Sequence, residues 1–325
     1  MGASPRRSRR GCARFSPTPG DVAAVPGNGS GRPDTGAGTD AVSAERKPRS
    51  ALRAPLDLFL ACHPGPTIAV STLAGVLAVG SGAGARSVLI VAAVFTGQLS
   101  VGWSNDWVDA ARDIAVGRSD KPVADGRVAV GTVRAASLSA AAACVVLSFL
   151  LGWAAGAVHL VAVASAWSYN LGLKRTAWSW APYAVSFGLL PMALALALPG
   201  RPTAAWWVVA AGALIGVGAH GTNVLPDLLD DAATGIRGLP HRLGAAGTAV
   251  GSAGALLAAT VLLVVAPAGP ITAGGAVGLV VATGVAAAGT VVALRSRHSR
   301  LPFLAAIIVA AVAVVLLVGS PWLVH

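Results

Sequence analysis

Charged side chains are scarce in this sequence of 325 residues, because lysine, arginine, aspartate and glutamate together make up only 11% of it. Soluble globular proteins carry about 25%. Hydrophobic residues account for 55% of the chain, and its mean hydropathy is +0.70. So few charges cannot cover the surface of a water-soluble protein of this length. The composition therefore predicts an integral membrane protein.

Cysteine is also rare, with three residues at Cys12, Cys62 and Cys144. They are widely separated and form no Cys-x-x-Cys pair, which argues against a disulfide framework or a cysteine-rich metal site. The net charge of +11 is of the kind found in nucleic-acid-binding proteins. However, residues 1–53 hold ten of the basic and four of the acidic side chains, and no helix-turn-helix, zinc or RNA-binding motif accompanies them. We therefore expect no nucleic-acid partner.

The first 52 residues are rich in proline, glycine, serine and arginine and show no hydrophobic period. This composition predicts a disordered basic tail. The pairs Arg6-Arg7 and Arg9-Arg10 are similar to a twin-arginine export signal, but no apolar run follows until about residue 55. We expect instead that the tail is cytoplasmic and is attracted to anionic lipid headgroups.

From there to the end of the chain, apolar runs of roughly the 20 residues that cross a bilayer follow one another closely. They predict that residues 53–325 form an all-α membrane domain of nine transmembrane helices around a central cavity. Abundant alanine and glycine suit helices whose backbones approach closely. The nine runs are residues 56–82, 87–109, 129–150, 153–173, 178–199, 204–229, 245–267, 271–294 and 301–322.

The basic residues predict the orientation of this domain. With the tail inside, the tail and the loops after the second, fourth, sixth and eighth runs hold 21 of the 24 lysines and arginines. The opposite side has only Arg86 and Arg201, and Arg134 lies within the third run. Cytoplasmic loops are enriched in such residues. We therefore expect a multi-pass protein of the cell membrane, with the N-terminus cytoplasmic and the C-terminus outside.

Two short stretches at the cytoplasmic ends of the second and sixth runs share the pattern Asn-x-x-x-Asp-x-x-x-Asp. Residues four apart lie about 40° apart around a helix, so each triplet occupies one helix face. Asp106 is an additional acid beside the first triplet. The first acidic motif consists of Asn105, Asp109 and Asp113, and the second acidic motif consists of Asn223, Asp227 and Asp231.

The two motifs belong to a longer repeat. Adding 118 to each position of the first motif gives the corresponding position of the second, and the same offset relates two glycines and a proline in the loops that follow. This register predicts an internal duplication of four helices in parallel topology, with both motifs on the cytoplasmic side. The matched loop pairs are Gly117 and Gly235, Pro122 and Pro240, and Gly126 and Gly244.

Converging carboxylates repel one another unless a cation neutralises them, and hard oxygen ligands favour Mg²⁺, which also binds substrate phosphates. Basic residues lie close to both motifs, so a diphosphate could share the charge of the metal and of these cations. A diphosphate with an apolar tail, held in a membrane domain, is an isoprenyl diphosphate. The neighbouring basic residues are Arg112, Arg118, Lys121, Lys174, Arg175, Arg237 and Arg242.

These features together resemble the UbiA-type intramembrane prenyltransferase superfamily, over about residues 55–322. Members carry Asn-x-x-x-Asp-x-x-x-Asp on the second of nine helices and a related motif on the sixth. The stretch from Arg118 to Pro122, with Gly126 after it, is also similar to the family. So is Ser168-Tyr169-Asn170-Leu171-Gly172-Leu173-Lys174-Arg175, which follows the fourth run.

The resemblance implies that the aspartates of both motifs are catalytic and hold two Mg²⁺ ions, with Asn105, Asn223 and Asp106 as further metal ligands. The ions would bridge the diphosphate as Lewis acids, and an allylic carbocation would be captured by a lipophilic or aromatic acceptor. The diphosphate-binding residues that it implies are Arg118, Lys121, Lys174, Arg175 and Arg237.

The acceptor is less defined. His63, Tyr169 and His220 are candidates for its pocket, although each has a structural or interfacial role as an alternative. Hydroxybenzoate-using relatives carry a basic residue on the first helix, and the corresponding stretch from Leu60 to Thr67 offers only His63. Two other functions stay open. The first is a membrane terpene cyclase of the same fold, and the second is a transporter built on a parallel repeat.

Overall fold

The structure is a computed structural model that describes residues 53–233, 235–296 and 299–324. The predicted tail, residues 1–52, lies outside this part of the chain. The described part is all-helical apart from one two-stranded pair. Its α-helices are α1 (Ala54–Leu60), α2 (Pro64–Gly80), α3 (Arg86–Ala115), α4 (Val130–Leu150), α5 (Trp153–Leu171), α6 (Ala181–Ala197), α7 (Trp206–Val224), α8 (Leu228–Ala233), α9 (Leu239–Val265), α10 (Ala273–Arg295) and α11 (Leu301–Val318).

Six of the helices in the described ranges are long and apolar enough to cross a membrane: α3, α4, α7, α9, α10 and α11. The pair α1 and α2 would add a seventh span, although the two helices meet at an angle of 72°. Helix α6 is apolar but has only 17 residues. Together these helices make the chain a multi-pass membrane protein.

Consecutive helices pack against one another, and α7 lies at the centre of the bundle, in contact with α6, α9 and α11. Close approach at this position depends on missing side chains. A Cβ atom at Gly216 would collide with the carbonyl of Tyr183, and one at Gly212 would collide with the carbonyl of Phe187. Small residues let membrane helices approach in this way, so the backbones of α6 and α7 are nearly in contact.

The C-terminal segment pairs with the loop before α7, at the opposite end of α7 from the second acidic motif. Strand β1 (Thr203–Ala204) pairs antiparallel with strand β2 (Leu323–Val324), and Trp322 beside it is 3% exposed. An apolar groove of about 670 Å³ lies between α2, α3 and Val318 at the end of α11, and Ile68, Val91 and Phe95 contribute to its walls.

The first predicted run is broken into two helices. His63, the residue between them, has φ 56° and ψ 69°, which is the left-handed region. A non-glycine residue there costs about 1–3 kcal/mol. Pro64 disfavours α-helical geometry at the residue before it, so the break has a local cause. We call residues 61–63 the elbow.

The second acidic motif also departs from one continuous helix. Helix α7 ends at Val224, a 3₁₀-helix covers Leu225–Asp227, and α8 follows. Pro226 has no N–H to donate to the helix, which explains the tighter turn at this point. The first motif, by contrast, lies wholly within α3.

The loops after the two motifs begin alike. Gly117 has φ 69° and Gly235 has φ 82°, a region that glycine enters without a steric penalty. The next residue in each loop donates its backbone N–H to the last aspartate of the motif, from Arg118 to Asp113 O at 3.0 Å and from Ile236 to Asp231 O at 2.9 Å. Each motif thus ends in a turn that brings the following residues back over it.

Candidate metal and diphosphate site

The carboxylates of the first acidic motif are inside the protein. Asp109 and Asp113 are 3% and 2% exposed, and Asp106 is 2% exposed. Three buried charges on neighbouring turns of α3 would be very unfavourable without partners. Each of them is matched by a cation from another part of the chain or from the helix itself.

Lys174 neutralises Asp109. It lies in a 3₁₀-helix, Leu173–Arg175, directly after α5, and its Nζ is 2.5 Å from both carboxylate oxygens of Asp109. The side chain of Lys174 is 4% exposed. Burial lowers the pKa of this ammonium below the ordinary lysine value, even though the charge of Asp109 acts in the opposite direction. The pair is therefore a buried, short-range ion pair.

Lys121 binds three acceptors on α3. Its Nζ lies 2.8 Å from Asp113 Oδ2, 3.2 Å from Asp106 Oδ1 and 3.4 Å from Asn105 Oδ1. Burial alone would lower the pKa of Lys121, but the charges of Asp106 and Asp113 outweigh it and raise the pKa. Lys121 thus makes two ion pairs and one hydrogen bond with side chains of α3.

Arg112 is one residue before Asp113, and it bridges two carboxylates of the motif. Its Nη2 lies 3.1 Å from Asp109 Oδ2 and 3.1 Å from Asp113 Oδ1. Its Nη1 is buried, and in the described part of the chain it has no hydrogen-bond partner. Arg112 therefore keeps a buried donor available beside the two aspartates.

The second acidic motif is more open. Asn223 donates to the hydroxyl of Tyr183 at 3.3 Å, and the side chain of Asp227 is 40% exposed. Asp231 Oδ2 lies 4.0 Å from Nε2 of His241. Burial, together with the charge of Asp227, raises the pKa of Asp231 to about 6, although nearby arginine and lysine charges oppose the shift.

Arg118 links the two motifs. Its guanidinium holds Asp120 at 2.8 Å and lies 3.5 Å from Asp227 Oδ1. The hydrogen bond to Asp120 raises the pKa of Arg118, and the same contact lowers the pKa of Asp120 to about 2. A residue from the loop after the first motif thus contacts an acid of the second, so both motifs face one space.

Two predicted diphosphate ligands lie apart from these contacts. Arg175 and Arg237 are exposed, and neither takes part in the ion pairs formed within the described ranges. They are close to the site in sequence, since Arg175 follows Lys174 directly. Their predicted role as diphosphate ligands stays a prediction.

The three predicted acceptor residues separate into two places. Tyr169 and His220 lie with their ring centroids 5.6 Å apart, and Tyr183 contacts both, at 5.3 and 5.0 Å. His63 is instead on the elbow, with its Nε2 3.0 Å from Asp106 Oδ1. We call Tyr169, Tyr183 and His220 the aromatic cluster.

The family model for the UbiA prenyltransferase family matches residues 68–307 of the sequence. The match covers about three quarters of the chain and includes both acidic motifs. The chain belongs to the UbiA prenyltransferase family.

Solved structures of UbiA proteins have the same fold. The apo structure of a UbiA homolog from Aeropyrum pernix K1 matches with a TM-score of 0.64 and 21% identity, over 77% of this chain and 95% of that one. A UbiA homolog from Archaeoglobus fulgidus bound to GPP and Mg²⁺ matches with a TM-score of 0.61 and 14% identity, over 80% and 99%. A digeranylgeranylglyceryl phosphate synthase matches with a TM-score of 0.58 and 12% identity, over 82% and 98%. No curated protein matches the sequence.

The donor set of this UbiA protein suits a hard divalent cation, because carboxylate and amide oxygens face one space from both motifs. Within residues 53–233, 235–296 and 299–324, no three acidic, histidine or cysteine side chains already converge on a single point. Lys174, Lys121 and Arg112 lie against carboxylate oxygens of the first motif. A metal ion and these cations would therefore compete for the same carboxylates.

Several residues that shape the site are not apparent from the motifs. Asn170 accepts from Asn105 Nδ2 at 3.1 Å and donates to Ser104 Oγ at 2.7 Å, which orients the first residue of the motif. Ser179 lies 3.1 Å from His220 Nε2 and accepts from the backbone N–H of Leu239 at 3.0 Å. A buried polar residue such as Asn170 at the end of an apolar run is the signal that could have indicated the first contact.

Proposed function

We propose that the protein is a Mg²⁺-dependent intramembrane prenyltransferase that transfers the prenyl group of an isoprenyl diphosphate to an aromatic or other lipophilic acceptor. The observation that carries the proposal is the contact of Arg118 with Asp227, because it brings two distant acidic motifs and their cations to one space. A relative with the same fold was solved with GPP and Mg²⁺, which supports the same substrate class here.

The oxygen ligands of the two acidic motifs would hold two Mg²⁺ ions, one for each motif. The ions would supply Lewis-acid stabilisation of the leaving diphosphate. The six metal-binding residues are Asn105, Asp109, Asp113, Asn223, Asp227 and Asp231.

Arg118 would lie between the two motifs that hold the ions. With a metal on the carboxylates, the cations that neutralise the first motif would be available to bind the diphosphate. Lys174 and Lys121 would turn from Asp109 and Asp113 to the phosphate oxygens, since an ammonium group binds either anion. Among the described residues, Arg112 has a buried donor without a partner at Nη1, which would bind a phosphate oxygen while Arg112 keeps its contacts with Asp109 and Asp113. Arg118, Arg175 and Arg237 complete the set of proposed diphosphate ligands.

The aromatic cluster would lie next to the reacting carbon. Tyr183 accepts a hydrogen bond from Asn223 at 3.3 Å and contacts Tyr169, so the cluster adjoins the second motif. Aromatic faces attract a cation, which suits a developing allylic carbocation. His220 is 2% exposed and the two tyrosines are partly buried, which would limit the access of water to that cation, so that the acceptor captures it. Tyr169 and His220 are proposed to contact the acceptor.

We also propose the finer architecture: nine spans around a central cavity, with the site open to the cytoplasm, the N-terminus inside and the C-terminus outside. Helix α5 and helix α6 would be the spans beyond the seven that length and composition support. We also propose the internal duplication. The similar positive φ angles of Gly117 and Gly235, 69° and 82°, support it.

The function is tested with the purified full-length protein, geranyl or farnesyl diphosphate, Mg²⁺ and a panel of phenolic, quinol and lipid-alcohol acceptors, with products identified by mass spectrometry. We expect a prenylated acceptor together with released diphosphate, and loss of both in Asp109→Asn and Asp227→Asn. Asp125→Asn is the matched control, because among the described residues the Asp125 carboxylate pairs with Arg127 and with no residue of either motif. A cyclic hydrocarbon formed without acceptor would identify a terpene cyclase instead. Absence of diphosphate release under all conditions would contradict both enzyme functions and favour a transporter.

A further inference from the structure

Asp106 differs from the other acids of the first motif in its position on α3. Asn105, Asp109 and Asp113 follow one another at about 40° around the helix, whereas Asp106 lies about 100° from Asn105. This places its carboxylate on the flank of the metal-binding face, toward the elbow. There it contacts two groups, His63 Nε2 at 3.0 Å and Lys121 Nζ at 3.2 Å, both through Oδ1. Its side chain is 1% exposed.

We propose that His63 and Asp106 are positioning residues that hold Lys121 for the diphosphate, and that Asp106 is not a metal ligand. The role differs from the one that the sequence predicts for Asp106, and it rests on the proposed function. His63 fixes the carboxylate of Asp106, and Asp106 in turn anchors the ammonium of Lys121.

The elbow is built so that His63 stays in place. A Cβ atom at Gly102 of α3 would collide with the carbonyl of Cys62, so only glycine lets the elbow lie this close to α3. Trp103 Nε1 donates to Leu58 O at 2.8 Å, and Thr67 Oγ1 donates to Cys62 O at 3.1 Å. These contacts hold His63 in its left-handed conformation. Strain of this kind persists only where the surrounding structure fixes it, and it is concentrated at functional sites.

Of the three contacts of Lys121, two would be lost and one would be kept when metal and diphosphate bind. Asn105 and Asp113 are proposed metal ligands, so a metal ion would take their oxygens from Lys121. Asp106 lies off the metal-binding face and is already held by His63. It is therefore the one acceptor of the three that can keep Lys121 beside the site while the ammonium contacts a phosphate oxygen.

A purely electrostatic role and a positioning role of Asp106 predict opposite effects of Asp106→Asn on the diphosphate affinity. If Asp106 acted only through its charge, its removal would strengthen binding of an anion nearby, because a repulsion is lost. If Asp106 positions Lys121, its removal weakens anion binding. If Asp106 is a metal ligand, its removal weakens Mg²⁺ binding instead.

The test uses the full-length protein in detergent and titration calorimetry with two probes, Mg²⁺ alone and then inorganic diphosphate at saturating Mg²⁺. For Asp106→Asn and His63→Gly we expect a Mg²⁺ affinity within about twofold of the unchanged protein and a diphosphate affinity roughly tenfold lower. Glycine keeps the backbone conformation of residue 63 and removes only the imidazole. His63→Gln retains a hydrogen-bond donor at similar reach, so it should recover most of the diphosphate affinity that His63→Gly loses. Asp125→Asn controls for the change in net charge.

Lys121→Met provides the decisive background. In that variant, Asp106→Asn and His63→Gly should cost little further diphosphate affinity, because residues that act through one group are not additive. A full tenfold loss in this background would overturn the proposal. So would a fall in Mg²⁺ affinity for Asp106→Asn as large as that for Asp109→Asn.

A second readout does not depend on the proposed function. The chain has three lysines, Lys47, Lys121 and Lys174. Acetylation followed by mass spectrometry therefore measures the labelling rate of Lys121 relative to the rates of the other two lysines. Asp106→Asn and His63→Gly should raise the labelling rate of Lys121 several-fold relative to Lys174, and equal rates would overturn the proposal. A protein that binds no diphosphate would contradict the proposed function, while the labelling and the Mg²⁺ titration would still decide the role of Asp106.

Discussion

Lys174→Met should strengthen the binding of Mg²⁺ while it weakens the binding of the diphosphate. Lys174 Nζ lies 2.5 Å from both oxygens of Asp109, and the two side chains are 4% and 3% exposed. A metal ion that takes Asp109 as a ligand must first displace this ammonium. Methionine fills a similar volume without a charge, so the variant removes the competitor and leaves the packing nearly intact.

The magnitude follows from the ion pair. Hydrogen bonds to charged groups contribute about 1.5–3 kcal/mol. Since each 1.4 kcal/mol corresponds to a factor of ten, the Mg²⁺ affinity should rise roughly 10- to 100-fold. The protein without ligands should become less stable at the same time, because among the described residues Asp109 would keep only Arg112 as an ion-pair partner. Breaking a buried pair typically costs about 3–5 kcal/mol, and the second partner should keep the loss near the lower end.

The assay is titration of Mg²⁺ into the detergent-solubilised protein, followed by titration of inorganic diphosphate. Arg86→Met is the control, since Arg86 is exposed, begins α3 about 35 Å along the helix from Asp109, and its replacement removes the same charge. We expect this control to change the Mg²⁺ affinity by less than about threefold, as expected for an exposed charge. An unchanged or reduced Mg²⁺ affinity in Lys174→Met would refute the competition between Lys174 and the metal at Asp109.

Three further predictions concern pH, packing and topology. Burial and the charge of Asp227 raise the pKa of Asp231 to about 6, so below that pH a metal must displace a proton. The Mg²⁺ affinity, measured by calorimetry at a series of pH values, should therefore fall roughly tenfold per pH unit below 6. The same slope of affinity against pH in Asp231→Asn would contradict this prediction. Gly102→Ala should lower the melting temperature through the collision with Cys62, by overpacking worth about 1–3 kcal/mol, whereas Gly254→Ala, with nothing within 4 Å, should not lower it. An alkaline phosphatase fused after His325 should be active in a bacterial host if the C-terminus is outside, and a fluorescent cytoplasmic reporter at the same place should then be dark.

The positions of the helices and of the first acidic motif follow directly from the sequence. Apolar runs of bilayer length are a strong signal because every backbone polar group in lipid must be satisfied within a helix. The i, i+4 spacing of Asn105, Asp109 and Asp113 likewise predicts one face of α3, and all three lie on that helix. Lys121 and Lys174, which the sequence predicts to lie near the first motif, contact Asp113 and Asp109.

Breaks in the helices are less visible in an apolar pattern. The elbow interrupts a run that is hydrophobic on both sides, and only Pro64 and the residue before it carry a local signal. In the second motif, Pro226 gives the same kind of signal within the Asn-x-x-x-Asp spacing. Periodicity treats both stretches as continuous helix, so it places Asp227 on a face that the 3₁₀-helix alters.

Individual contacts between distant segments could not be predicted, although the sequence predicts that both motifs lie on one side of the membrane. His63 was a candidate for the acceptor pocket because it is the polar residue of the first run, yet it contacts Asp106, 43 residues away. Tyr183 joins Tyr169 and His220 through the packing of α5, α6 and α7, and no motif marks it. Such contacts depend on the crossing of helices, which the sequence pattern of each helix does not contain.

Under the proposed function, the charges of the site predict that metal and diphosphate bind as a unit. In the apo protein, Arg112, Lys121 and Lys174 balance Asp106, Asp109 and Asp113, so the first motif is already neutral. Two Mg²⁺ ions alone would add four positive charges beside these cations, whereas a diphosphate ester brings about three negative charges. Binding both together changes the local charge little, and each ligand relieves the repulsion that the other would meet. Mg²⁺ should therefore raise the affinity for diphosphate, and diphosphate should raise the affinity for Mg²⁺ by the same factor.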